Sequence, residues 1–155
     1  MKGNDKVIES LNDLLAEELT AINQYMVHAE MCENWGYKKL HEVVEKRAIT
    51  EMRHAEKLIA RIIFLDGQPT VSRLNEIHIG QDVEKQFEND LMLERGADRH
   101  YNEVIRLASE LGDNGTKDLL EEILEQEEDH IDELESHQDQ IRQMGIANFL
   151  VPQVG

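Results

Sequence analysis

The chain has 155 residues, enough for one domain with a substantial core but short for two. Sixteen basic residues against 33 acidic ones leave a net charge of −17, which disfavours nucleic acid and anionic membrane surfaces as partners and favours cations. The lone cysteine, Cys32, excludes an internal disulfide and any four-cysteine metal site, and reads as a small packed hydrophobe.

Aromatic residues make up only 5%, and the two prolines are Pro69 and Pro152, so long helices and an all-α fold are expected. The first six residues hold no apolar leader, and no stretch nears the ~18 uninterrupted apolar residues of a membrane span. The expected location is the cytoplasm. Apolar residues at three- and four-residue spacing predict a first helix over 5–34, broken by Trp35-Gly36. The pattern resumes over 36–65 and stops at Asp66-Gly67-Gln68-Pro69. Periodicity fails over 70–82, returns over 83–111, breaks at Gly112-Asp113-Asn114-Gly115 and continues over 114–144. Gly145 ends that helix, and a short fifth one is expected over 146–151. Its run Ile146-Ala147-Asn148-Phe149-Leu150-Val151 is too apolar for solvent and predicts a contact with another subunit.

At ~1.5 Å per residue the four long patterns are rods of roughly 40 Å, which predicts a four-helix bundle in a single domain, residues 1–155. The first and third connections are tight and the second is long. Helices 2 and 3 are therefore expected to be joined by a crossover running the length of the bundle.

Each core stripe is interrupted by a polar group near its middle. The first reads Leu11, Leu14, Leu15, Glu18, Ile22, Tyr25; the second Leu40, Val44, Arg47, Glu51, His54, Leu58, Ile62. The third reads Phe87, Leu91, Glu94, Tyr101, Ile105; the fourth Leu120, Ile123, Glu127, His130, Leu134, Ile141. Glu18 and Glu94, Glu51 and Glu127, His54 and His130, and Tyr25 and Tyr101 are each 76 residues apart, as duplicated hairpins would place them. A pseudo-twofold bundle would then gather one glutamate from each of two helices and Glu-x-x-His from each of the other two, the pattern of a di-iron carboxylate centre. Residues at i and i+3 share a helix face, so Glu51 with His54, and Glu127 with His130, can reach one metal or bridge two. Four buried carboxylates would repel one another without cations, and this oxygen and nitrogen set suits iron or manganese, with zinc also able to enter. Tyr25 and Tyr101 are candidates for hydrogen bonding to the centre or electron donation to oxygen. Thr50 and Gln126, four residues before the two histidines, are candidates to accept their second N–H across the bundle.

A second apolar face is carried by Leu19, Ile22 and Met26 on the first helix and by Ile49, Met52, Ile59 and Ile63 on the second, and predicts a partner subunit. Across a twofold contact two Met52 side chains would approach each other, and a thioether pair can ligate haem iron from both sides.

The chain closely resembles bacterioferritin over essentially its whole length. The resemblance is carried by Met1-Lys2-Gly3, Glu18, Ala21-Ile22-Asn23-Gln24-Tyr25, Asn34-Trp35-Gly36, Glu51-Met52-x-His54-Ala55 and Phe64-Leu65-x-Gly67-x-Pro69. It continues through Ile79-Gly80, Asp90-Leu91, Glu94, Glu127-Glu128-x-His130-Ile131-Asp132 and Met144-Gly145. It implies a ferritin-like homo-oligomeric shell of twenty-four subunits in twofold dimers, storing ferric mineral. It implies two iron ions per subunit, with Glu18 and His54 on one, Glu94 and His130 on the other, and Glu51 and Glu127 bridging. Fe(II) would be oxidised there by dioxygen or hydrogen peroxide, haem b would be shared between two subunits through Met52, and a ferredoxin-type donor would release the iron.

Several positions depart from well-known members. Lys46 and Thr50 stand where some have a histidine and an aspartate for an inner-surface iron site, and Arg47 replaces a frequent glutamate near the centre. Leu58 and Glu133 replace aromatics, leaving Tyr25 as the stronger electron-transfer candidate, and Met26 and Glu45 lack the aromatic bulk found beside haem in some relatives. The alternative function is a haem-carrying shell whose dimetal site is inert. A DNA-protecting relative would place its ligands between subunits, and a rubrerythrin-like peroxidase would need more cysteine than this chain has.

Overall fold

Helices form where apolar residues recur on one face, and in three of the four long ones a polar side chain closes the first turn. The computed structural model describes residues 1–155 and contains α1 (Asp5–Asn34), α2 (Lys38–Phe64), α3 (Val83–Glu110), α4 (Asn114–Met144) and α5 (Ile146–Leu150), then a 3-10 turn over Val151–Gln153. The Asn4 side chain accepts from the Lys6 amide at 2.8 Å, Asp82 from Lys85 at 2.8 Å and Asp113 from Thr116 at 3.0 Å. Each satisfies an amide that has no partner inside its helix, which contributes about 1 kcal/mol. Helix α2 starts at Lys38 rather than 36, because Gly36, at φ 85°, takes the left-handed turn that ends α1. The ends of α3 and α5 each fall one residue before the expected ones, at Glu110 and Leu150.

The fold is all-helical: α1 packs on α2, α3 on α4, and α1 against α3 closes the four-helix bundle. Its apolar core has two large blocks and a smaller one of Ala21, Tyr25, Ala29, Val44 and Ala48 between α1 and α2. Val7, Leu11 and Leu14 of α1, Leu58 and Ile62 of α2 and Leu120 of α4 belong to the first. Cys32 of α1, Leu40 of α2, Phe87 and Leu91 of α3 and Leu134 of α4 belong to the second. In every long helix the buried glutamate lies between its contributions to the two large blocks. Burial of each large aliphatic side chain stabilises the fold by roughly 1.5–3 kcal/mol, which offsets the cost of a charged layer at mid-height.

Helix α5 is anchored by its own chain, whether or not its outer side also meets another subunit. It folds back on its own bundle: Phe149 is 2% exposed and meets Phe87 and His137 edge-on, at centroid distances of 5.9 and 5.6 Å.

The crossover between α2 and α3 runs alongside α1 and is read by polar side chains on one α1 face. Asn12 donates to the Gln68 carbonyl at 3.1 Å and accepts from the Thr70 amide at 2.8 Å, and Asp13 pairs with Arg73 at 2.6 Å. Thr20, Gln24 and His28, one turn apart, then accept from the amides of Asn75, His78 and Gly80 at 2.8, 3.2 and 3.0 Å. A Cβ on Gly80 would collide with the Gln86 backbone, so only glycine lets the crossover pass under the start of α3. Because the Gly80 amide donates to Nε2 of His28, the proton of that ring sits on Nδ1 and is donated to Asp90, 2.9 Å away. His28→Ala strands the Gly80 amide and removes a donor from buried Asp90. The expected cost is about 2–3 kcal/mol, read as a fall of about 5–10 °C in a thermal melt. A shift under about 2 °C would mean that other contacts hold the crossover.

Candidate metal centre

Helical periodicity turns Glu18, Glu51, His54, Glu94, Glu127 and His130 into the layer between the two large apolar blocks. Ligand atoms of Glu18, Glu51, His54 and Glu127 lie within 4.8 Å of one another, as do those of Glu51, Glu94, Glu127 and His130. All six residues are brought together, and Glu51 and Glu127 belong to both groups. Nδ1 of His54 stands 2.9 Å from Glu127, 3.3 Å from Glu51 and 3.6 Å from Glu18. Nδ1 of His130 stands 3.0 Å from Glu51, 3.5 Å from Glu94 and 3.9 Å from Glu127. Five of the six are buried, and the His130 side chain keeps 12% exposure.

The two tyrosines cross between the hairpins. The Tyr25 hydroxyl on α1 donates to Glu94 on α3, and the Tyr101 hydroxyl on α3 donates to Glu18 on α1 at 2.5 Å. The pseudo-symmetry stops at the next layer. Gln126 Oε1 sits 2.6 Å from Nε2 of His54, across the bundle, whereas Thr50 bonds back to the Lys46 carbonyl in its own helix at 3.1 Å and does not reach His130.

The electrostatics are those of a site built around positive charge. Burial, then the Glu51 charge, holds the Glu18 carboxyl well above the usual carboxylate range, and burial with Glu51 and Glu94 does the same to Glu127. Burial opposes ionisation of Glu51 too, but hydrogen bonding with Glu18, His130, His54 and Glu127 outweighs it and holds that carboxyl well below its ordinary value. Burial likewise opposes protonation of the histidines, yet the surrounding glutamates push His54 up to about 10 and His130 up to about 9. Without metal, protons on these groups neutralise the cluster. Glu18 Oε2, Glu51 Oε1, Glu94 Oε2 and His130 Nδ1 are buried with polar neighbours but no well-aligned hydrogen bond, which leaves their lone pairs available to cations. Four carboxylates and two imidazoles fit two divalent ions of the iron, manganese or zinc kind.

A cavity of about 250 Å³ between α1, α3 and the crossover connects this layer to the surface: Glu76 and His78 stand on its crossover side, and Glu18, Glu51, Glu94 and Glu127 line its inner part. Sequence reasoning gave no role to the buried group behind Tyr25. There the Arg47 guanidinium lies 5.3 Å from the Tyr25 ring centroid, 3.1 Å from Glu133 and 4.0 Å from Asp90. The polar run Thr20, Gln24, His28 at four-residue spacing was the available signal for the other half of this network.

The family model for ferritin, the ferritin-like domain, matches residues 8–144. The bacterioferritin of Brucella melitensis is 43% identical over 149 residues, covering 96% of this chain and 92% of the relative. The chain belongs to the bacterioferritin family. The bacterioferritins of Mycolicibacterium paratuberculosis and Rhodobacter capsulatus are 41% and 40% identical over the same share of this chain, and cover 94% and 92% of those relatives. Bacterioferritin membership supports iron storage as the class of function. No helix is long and apolar enough to cross a membrane.

The residue expected to face a partner, Met52, is 41% exposed, and Met26, Ile49 and Ile63 are 51%, 46% and 58% exposed. Leu19, Ile22 and Ile59, expected on the same outer face, instead pack partly buried against the core.

Proposed function

We propose that this bacterioferritin-family chain is a ferroxidase and an iron store, each single-domain subunit oxidising Fe(II) and a shell of twenty-four subunits holding the ferric mineral. The observation that carries this reading is the pair of overlapping four-residue groups with Glu51 and Glu127 common to both. Glu18 and His54 bind one Fe(II), Glu94 and His130 the other, and the shared carboxylates hold the two close together. Two Fe(II) give up two electrons, which reduce dioxygen with two protons to hydrogen peroxide, or reduce peroxide with two protons to water. Groups that bear protons in the metal-free centre give them up as iron enters, and the cavity beside Glu76 and His78 admits the substrates. Tyr25 holds Glu94 through its hydroxyl and stands where it can donate an electron to a partly reduced oxidant.

Exposed Met52 fits the thioether ligand of a haem b shared across a twofold dimer, since Ile49 one turn away extends an apolar surface. Its resident redox chemistry would be one-electron transfer, suited to a ferredoxin-type donor during iron release. The location consistent with these roles is the cytoplasm.

The test is aerobic addition of excess Fe(II) to iron-stripped protein. The expected product is soluble, brown and shell-sized, and forms faster than in buffer alone. Oxidation at the buffer rate would sink the ferroxidase reading and favour a haem-carrying shell with an inert dimetal site. A finer test concerns Gln126, which fixes the His54 ring from behind. Gln126→Leu is expected to weaken Co(II) binding at the centre by about tenfold or more in a spectrophotometric titration. Unchanged affinity would show that packing alone orients His54.

A further inference from the structure

Where the end of α1 meets the start of α2, a second cluster joins a histidine to carboxylates. We propose that His41, Glu45 and Glu30 form a further metal site, distinct from the mid-bundle centre, that takes one divalent first-row transition ion of the Zn(II) type. Ligand atoms of the three residues lie within 4.8 Å of one another. The cluster is remote from the centre: Glu30 lies twelve residues beyond Glu18 on α1, a rise of about 18 Å.

The histidine is set up as a ligand by its back side. Its Nδ1 lies 2.9 Å from the Ala29 carbonyl oxygen, which can only accept, so Nδ1 carries a proton and the neutral ring presents its Nε2 lone pair to the carboxylates. A backbone carbonyl behind the ring is the arrangement that fixes the tautomer of metal-bound histidines. On the open side Nε2 stands 3.4 Å from Glu45 Oε2 and 3.9 Å from Glu33 Oε2. In a tetrahedral site with bonds of ~2.1 Å, neighbouring ligand atoms are about 3.4 Å apart, so His41 and Glu45 already span one edge.

Charge and access agree with this geometry. The only cationic partner within 4 Å of Glu33 and Glu45 is His41 itself, and Glu30 has none. Three carboxylates around one neutral imidazole are undercompensated, and a dication supplies what is missing. The His41 side chain is 17% exposed and held against α1, while Glu33 and Glu45 are 44% and 55% exposed in a single subunit, so the carboxylates are free to turn toward an ion. Glu33 or water completes the coordination. In the absence of an ion a proton on Nε2 occupies the same place, so the cluster binds metal in competition with protonation.

Equilibrium dialysis of the assembled protein against micromolar Zn(II) tests the site, read as ions bound per chain. His41→Ala is expected to lose one ion per chain, and Glu45→Gln, an exposed change that leaves the fold alone, to weaken that ion at least tenfold. Glu94→Ala/Glu127→Ala is expected to lose the mid-bundle ions and keep the His41-dependent one, so failure of the ferroxidase reading leaves this result untouched. If His41→Ala and Glu45→Gln both bind as many ions as the unmodified protein with the same affinity, the proposal is overturned and the cluster is an ion pair of imidazolium with carboxylates.

Discussion

Alanine at Glu51 or Glu127 is expected to lower Fe(II) oxidation at the centre by at least about 100-fold, equivalent to about 2.7 kcal/mol of barrier. Glu18→Ala is expected to cost less. The difference follows from membership: Glu51 and Glu127 stand in both four-residue groups, and Glu18 in only one. Removing a shared carboxylate takes a ligand from both ions and the link that holds them together. Removing Glu18 leaves Glu51, Glu94, Glu127 and His130 as an intact group of four. The shared residues must therefore lose two ions per chain in a Co(II) titration where Glu18→Ala loses one. Stopped-flow ferric absorbance at two Fe(II) per chain measures the rates. Oxidation by Glu127→Ala at the unmodified rate would mean that iron is oxidised elsewhere, for example on the mineral surface.

The contrast between legible and illegible parts of the molecule has a physical basis in particular residues. A helix fixes which residues share a face, so Glu51 and His54 had to point the same way once α2 was recognised. The interval of 76 residues then paired Glu127 with Glu51 and His130 with His54 and made Tyr25 and Tyr101 candidates for bonding to the centre, but that Tyr25 reaches Glu94 while Tyr101 reaches Glu18 is told only by the packing of the hairpins. Symmetry failed where side-chain length decided the outcome. Gln126 is long enough to cross to His54, but Thr50 is not long enough to reach His130 and bonds its own helix. Residues 70–82 have no periodicity to read, so their path could be assigned a length but no partners. Thr20, Gln24 and His28 were visible as a polar line on α1, but what they bind is an irregular backbone whose shape no sequence rule supplies. For helix α5 the apolar run said that the segment is covered without saying by which surface. Phe149 finds Phe87 and His137 of its own chain.

Loading the centre with redox-inert Zn(II) is expected to raise the melting temperature by about 10–20 °C near pH 8 and by much less near pH 5.5. At a free ion concentration about 100 times the dissociation constant, each bound ion adds about 2.7 kcal/mol, so two add about 5 kcal/mol. A chain of this size gains about 2–4 °C per kcal/mol. The pH dependence comes from the protons that the ions displace. In the folded, metal-free protein His54 and His130 are pushed up to about 10 and about 9 by the glutamates around them. Their stabilising contribution is complete below the ordinary histidine value of ~6.5 and is lost as pH rises through those folded-state values. Glu18 and Glu127, also raised, favour the fold most at pH below the ordinary carboxyl value and progressively less above it. Glu51, held low, works in the opposite sense and loses its contribution only on acidification. Above pH ~6.5 holding those protons on the metal-free centre therefore contributes less and less to stability, while ions compete with fewer protons. Acid reverses both effects, because protons then hold the positions that ions would take. Calorimetry of chelator-treated and Zn(II)-loaded protein at the two pH values measures the shift. A Glu94→Ala/Glu127→Ala variant with the same rise would place the stabilising ions outside the mid-bundle layer, and equal shifts at both pH values would mean that binding displaces no protons from His54 and His130.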